Sequence, residues 1–157
     1  PLRVYAYNNR LSGDRTIGRV EMTLIRTPET RLGDTEDLVT PDGKRIVYSS
    51  RVRSLVDAVY DWSRFDSLPR AYAWIRKDLA SGRISPGQLA ETTLRYGNTG
   101  AIRRIGALLE REGAEDDVLH NLERAIRPTT GAIPFDPVRP KRGTLVRRWR
   151  VVDNEFA

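Results

Sequence analysis

The chain has 157 residues, 39% hydrophobic and 31% charged, a composition that folds and is long enough to bury its own core. It has no cysteine and a single histidine, which excludes disulfides, thiolate metal sites and thiol nucleophiles and leaves any metal to be held mainly by oxygens. Its 27 basic and 21 acidic residues give a formal charge of +6, and only Lys44, Lys77 and Lys141 are lysines, so the positive charge is almost all arginine.

The first third reads as strands. In "LRVYAY", Leu2, Val4 and Ala6 alternate with Arg3, Tyr5 and Tyr7, the period of a half-buried strand. "NNRLSG" supplies turn chemistry, and Val20, Met22 and Leu24 mark a second strand. "GDTED" (residues 33–37) reads as a solvated acidic turn. Asp42-Gly43 then signals a hairpin just before Ile46-Val47-Tyr48.

Five helices follow. Ser49 or Ser50 caps the first, which carries Val52, Leu55, Val56, Val59 and Trp62 and sets Arg53 four residues before Asp57, within pairing reach. Ser67 caps the second, Ser85-Pro86 opens the third, and Asn98 caps the fourth, "AIRRIGALLEREG" (residues 101–113). Asp116 and Asp117 open the fifth, which stops by Pro128. The fourth places Gly106 where glycine costs a helix roughly 1 kcal/mol. The gain is close approach of another backbone or a surface whose shape a partner reads. Adjacent Arg103 and Arg104 diverge by about 100°, so one is expected inward, with Asp57 as a candidate carboxylate partner.

From residue 128 to 143, Pro128, Pro134, Pro137, Pro140 and two glycines make an extended connection, and "TLVRRWRVV" resumes as a strand expected to rejoin the N-terminal sheet. Alternation along it puts Trp149 on the core face and Arg148 and Arg150 outside. The expected product is a single α+β domain: a small, mostly antiparallel sheet from residues 1–48 plus the C-terminal strand, with about five helices over 49–127, closed by 128–157. Arg139, Lys141, Arg142, Arg147, Arg148 and Arg150 have no acid among them and equal the whole positive excess. Arg142, Arg147, Arg148 and Arg150 are therefore the candidate surface for nucleic acid or an acidic partner.

Catalytic patterns are sparse. His120 stands alone, and no glycine-rich phosphate loop occurs. "PDGK" (residues 41–44) has the residue types of a PD…(D/E)xK nuclease compressed into one turn. An enzymatic reading would join Asp42 and Lys44 to Glu21 or to the acids at 34–37. No catalytic residue, metal ligand or cofactor is assigned. A scaffold that only dimerises is a third reading.

Three segments together, "RVRSLVDAV" (residues 51–59), "YGNTGAIRRIGALLEREG" (residues 96–113) and the Gly143 to Trp149 ending, resemble the C-terminal domain of AbiEi-family antitoxins over about residues 44–152. The family's R-T-L-x-D and R-R-L-G-x-L-L-E runs meet Arg53-Ser54-Leu55-Val56-Asp57 and Arg103-Arg104-Ile105-Gly106-Ala107-Leu108-Leu109-Glu110 here. The resemblance implies a regulator that offsets a nucleotidyltransferase-like toxin in a type IV toxin–antitoxin system. The lack of cysteine, of a signal-like start and of a catalytic pattern makes a non-enzymatic protein of the cytoplasm the expectation. Arg53, Asp57, Arg103, Arg104 and Gly106 are its motif residues. Family members usually carry an N-terminal winged helix that binds operator DNA. None precedes Pro1 in this sequence, so operator binding is not expected of these residues. Val52, Ser54 and the stretch 62–66 also depart from the family pattern.

Overall fold

The structure, a computed structural model, describes residues 2–128 and 131–156. Residues 129 and 130 of the expected extended connection, like the two chain ends, lie outside the described residues. The fold is α+β, and the chain divides into two compact units, 1–49 and 50–157. That division falls where the strand-rich stretch gives way to the helices.

The first unit holds five strands in two sheets. β1 (Leu2–Asn8), β2 (Gly13–Ile17) and β3 (Val20–Arg26) pair in the order β1-β3-β2, with β1 parallel and β2 antiparallel to β3. β4 (Thr35–Val39) and β5 (Arg45–Ser49) form an antiparallel hairpin across the turn expected at Asp42-Gly43. Two expectations are corrected here. Part of "NNRLSG" begins strand β2, and most of "GDTED" belongs to strand β4 instead of a turn. Every residue of both strands is exposed, so neither carries the apolar alternation by which a strand is recognised. Among the described residues of this unit only Ile25 and Thr27 are buried.

The second unit is built on α1 (Arg51–Tyr60), the single turn α2 (Trp62–Phe65), α3 (Arg70–Ala80), α4 (Pro86–Tyr96), α5 (Thr99–Arg111) and α6 (Asp116–Arg124). Side-chain caps set several starts. Ser50 accepts from Arg53 N–H, Ser85 and Gln88 form a reciprocal capping box, and Asn98 accepts from Ala101 N–H. The first helix ends at Tyr60, so Trp62 lies in α2. Ser67 is not the cap of α3: its hydroxyl donates to the Ala58 carbonyl and ties that turn back to α1.

α5 is the central element. From Ala101 to Leu109 every residue is buried, because α1, α4, α6 and the closing strand surround it. That explains the doubled arginine, since two side chains diverging by about 100° both meet protein when a helix is covered on all sides. The core around it includes Val56, Val59, Tyr72, Ile75, Leu89, Ile105, Leu108, Leu122, Phe135 and Trp149.

The closing segment departs from its expected form. "TLVRRWRVV" is a hairpin, with β7 (Thr144–Val146) and β8 (Val151–Asp153) flanking a turn at residues 147–150 in which Arg150 N–H donates to the Arg147 carbonyl. β8 pairs in parallel with β6 (Ile133–Pro134), giving a third sheet of order β6-β8-β7. It does not rejoin the N-terminal strands, because the connection before it supplies β6 as a partner. Gly143 is required at the start of this hairpin. It has φ 157, and a Cβ there would lie 1.8 Å from the Asp153 carbonyl oxygen.

Gly106 answers its own question. A Cβ at this position would lie 2.3 to 2.6 Å from ring carbons of Trp149, so the glycine admits an indole face instead of another backbone. Gly106→Ala is expected to lower stability by roughly 1–3 kcal/mol through overpacking, read as a lower urea midpoint. Trp149→Leu in the same chain should absorb part of that loss, and additive losses would mean that the two residues do not meet.

Candidate anion-binding surface

One face of α5 seats the closing hairpin. Residues 103, 106 and 110 fall at helical spacing, and all three engage Trp149 or its neighbours. The Arg103 guanidinium donates to the carbonyls of Trp149 and Gly131, each at 2.8 Å, and to that of Arg150. Gly106 receives the ring. Glu110 accepts from the indole Nε1 at 2.9 Å and from Arg148 at 3.1 Å.

Arg103 and Arg104 do not pair with Asp57, as was expected of one of them. Asp57 is bonded by Arg53 at 3.0 and 3.1 Å, one turn apart on α1, and both are buried, with the Arg53 guanidinium 4.0 Å from the centre of the Tyr96 ring on α4. Arg104 donates to the Pro134 carbonyl at 3.2 Å and lies 5.8 Å from the Trp62 ring. Burial pushes the pKa of Arg103 and of Arg104 down, and for Arg103 the charges of Arg104 and Arg150 add to the effect. A guanidinium retains its proton even so. It is tolerated here because backbone carbonyls replace the water it has lost.

The four arginines singled out in the closing segment separate into distinct roles. Arg148 is bound inward. Its side chain lies 3.1 Å from Glu110, 3.5 Å from Asp116 and 3.0 Å from Glu123, tying the turn to both ends of α6 and to α5. Its pKa is raised: burial lowers it, but the hydrogen bonds and charges of Glu110 and Glu123 outweigh that. It is therefore a latch, a correction to its expected place on the outer face of a strand. Trp149 keeps its expected place in the core and is fully buried. Arg147 and Arg150 are exposed at the turn, with Arg150 held at φ 51 while its carbonyl accepts from Ile133 N–H as well as from Arg103. Arg142 is exposed farther back on the connection and does not line the same recess.

That recess, about 390 Å³, is lined by Arg147, Arg148 and Arg150 from the turn and by Glu123, Ile126, Arg127 and Pro128 from the end of α6. Arg127 escaped the sequence reading because it follows a helix on the far side of the connection. Its position just past the C-terminal end of α6 suits a cation, since the helix dipole is negative there. Among the described residues Arg127 and Arg147 form no ion pair. The one carboxylate in the lining, Glu123, is already matched by Arg148.

The residues of the enzymatic reading do not converge. Asp42 and Lys44 pair with each other at 3.0 Å on the exposed β4–β5 turn, where hydrogen bonds from Thr40 and then Lys44 hold the Asp42 carboxyl below its usual range. Glu21 is bonded to Arg3 at 2.6 Å in the other sheet. Among the described residues no group of three or more acids and histidine is placed to hold a metal ion, and no helix is long and apolar enough to cross a membrane.

Arg148→Ala is expected to cost roughly 1–2 kcal/mol, because three carboxylates lose a shared cation, whereas Arg147→Ala should fall within about 0.5 kcal/mol of the parent. Urea unfolding of the two variants checks this, and equal effects would refute the division between latch and surface. In comparisons with known proteins the chain matches no family model, no curated protein and no solved structure.

Proposed function

We propose that the chain is a non-catalytic, antitoxin-type regulatory domain of the cytoplasm, resembling the AbiEi C-terminal domain, and that it meets a polyanionic partner through the turn at residues 147–150. Its cognate toxin is nucleotidyltransferase-like. The observation that carries this reading is the recess lined by the exposed Arg147, Arg150 and Arg127, whose one carboxylate, Glu123, is already matched by Arg148. Arginine forks suit phosphate and carboxylate oxygens alike. The other supporting observation is the use made of the motif residues. Arg53, Asp57, Arg103, Arg104 and Gly106 are spent on internal contacts, as in a domain whose helices provide shape and whose surface provides recognition.

Expression of the chain together with the nucleotidyltransferase-like protein encoded beside it should restore growth of the host. The lack of such a neighbouring gene, or of any rescue, overturns the antitoxin reading. Separately, alanine at Arg147 and Arg150 should reduce the slope of log affinity against log salt for duplex DNA by about 2, one unit for each phosphate no longer neutralised. An unchanged slope removes the turn from the DNA-binding surface.

A further inference from the structure

The recess offers more than a diffuse positive surface, and the geometry points to a discrete phosphate site that takes the phosphate monoester of a nucleotide, free or at the end of a strand. This deepens the reading of the turn as a polyanion-binding surface and rests on it.

Four features argue for a discrete site. Arg127 and Arg147 line the same recess from two different elements, one just after α6 and one from the closing turn, so the recess offers an anion guanidinium forks from both. The backbone presenting the turn is fixed from beneath, since Arg103 binds the carbonyls of Trp149 and Arg150 and the indole is locked against Gly106. A site on a held backbone loses little freedom on binding. Glu123 does not repel an incoming anion as an isolated carboxylate would, because Arg148 lies 3.0 Å from it. Finally, Ile126 and Pro128 add an apolar surface beside the cations.

The chemistry of the ligand follows from charge and size. A phosphate monoester carries close to two negative charges and several acceptor oxygens, which matches two or three guanidinium groups better than a single carboxylate does. The volume of about 390 Å³ is within the range of small-molecule pockets, well beyond a bare phosphate, and leaves room for the group that bears it. A planar base or a sugar can rest on the proline and isoleucine while its phosphate meets the arginines. Arg150 completes the wall.

The test uses the full chain and two fluorescent single-stranded oligonucleotides of one sequence, one ending in a 5′-phosphate and the other in a 5′-hydroxyl. Fluorescence anisotropy at fixed salt should show the phosphorylated strand binding about tenfold tighter. Arg127→Ala and Arg147→Ala should each abolish that difference, while Lys141→Ala, outside the recess, retains it. Thermal unfolding of each variant confirms that the fold is unchanged. The nucleotide 5′-AMP should compete for the site at lower concentration than a phosphoserine peptide.

Equal affinity for the two strands overturns the discrete site, and so does a preference that survives both substitutions. A phosphoserine peptide that competes better than 5′-AMP overturns the nucleotide assignment. The polyanion-binding reading fails separately, through an unchanged salt slope in the Arg147 and Arg150 variant.

Discussion

A buried guanidinium bonded to main-chain carbonyls organises the second unit. Among the described residues Arg103 reaches no carboxylate, and its charge is compensated by oxygens of Gly131, Trp149 and Arg150. Those carbonyls come from the connection and the closing turn, segments that have no helix of their own to hold them. Each side therefore needs the other. Without the turn, Arg103 would be a buried cation stripped of its partners, which costs several kcal/mol. Without Arg103, the Trp149 carbonyl would lose its donor and the Arg150 carbonyl would keep only Ile133 N–H.

The remaining contacts on that face of α5 convert these three bonds into a rigid seat. Gly106 removes the side chain that would collide with the indole, and Glu110 receives both the indole N–H and Arg148. Arg76 and Arg111 extend the same logic to the end of the described chain by pairing with Glu155 at 3.1 and 2.9 Å, while Arg111 also lies 2.8 Å from Asp153. The closing segment is thus tied down by cations from α3 and α5. What it leaves outward is a selected subset of its arginines. The local positive charge evident in the composition is divided by the fold: Arg139 lies 3.4 Å from Asp136, Arg148 is held among three carboxylates, and Arg147 and Arg150 stand at the surface.

Local signals were legible in the sequence at most helix starts, the expected Ser67 cap being the exception. Ser50, Ser85 with Gln88, and Asn98 cap helices as their residue types require, because a capping side chain bonds a backbone N–H only two or three positions away. Asp42-Gly43 likewise turns a hairpin. Strands β2 and β4 were hidden for the opposite reason: they are held by backbone pairing and bury no side chain. The turn at residues 147–150 was disguised by its own pattern. Leu145, Trp149 and Val151 fall on one face of an alternating pattern well enough to imitate one strand, and the turn at residues 147–150 with the indole's seat on α5 reveals the break. Arg103 could be singled out as unusual, yet its partners are carbonyls, which every residue has and no sequence pattern marks. Arg127 entered the site from another element, a juxtaposition that only the folded chain supplies.

The most direct measurement is amide hydrogen exchange, residue by residue, in the parent chain and in an Arg103→Met variant that keeps apolar bulk while removing the fork. If this buried cation holds the closing hairpin, the amides of Ile133, Phe135 and Arg150, which bond across β6, β8 and the turn, should lose protection selectively, with those of α1 and α4 little changed. Unaltered protection at those three amides would contradict the account, and so would a uniform loss throughout the second unit.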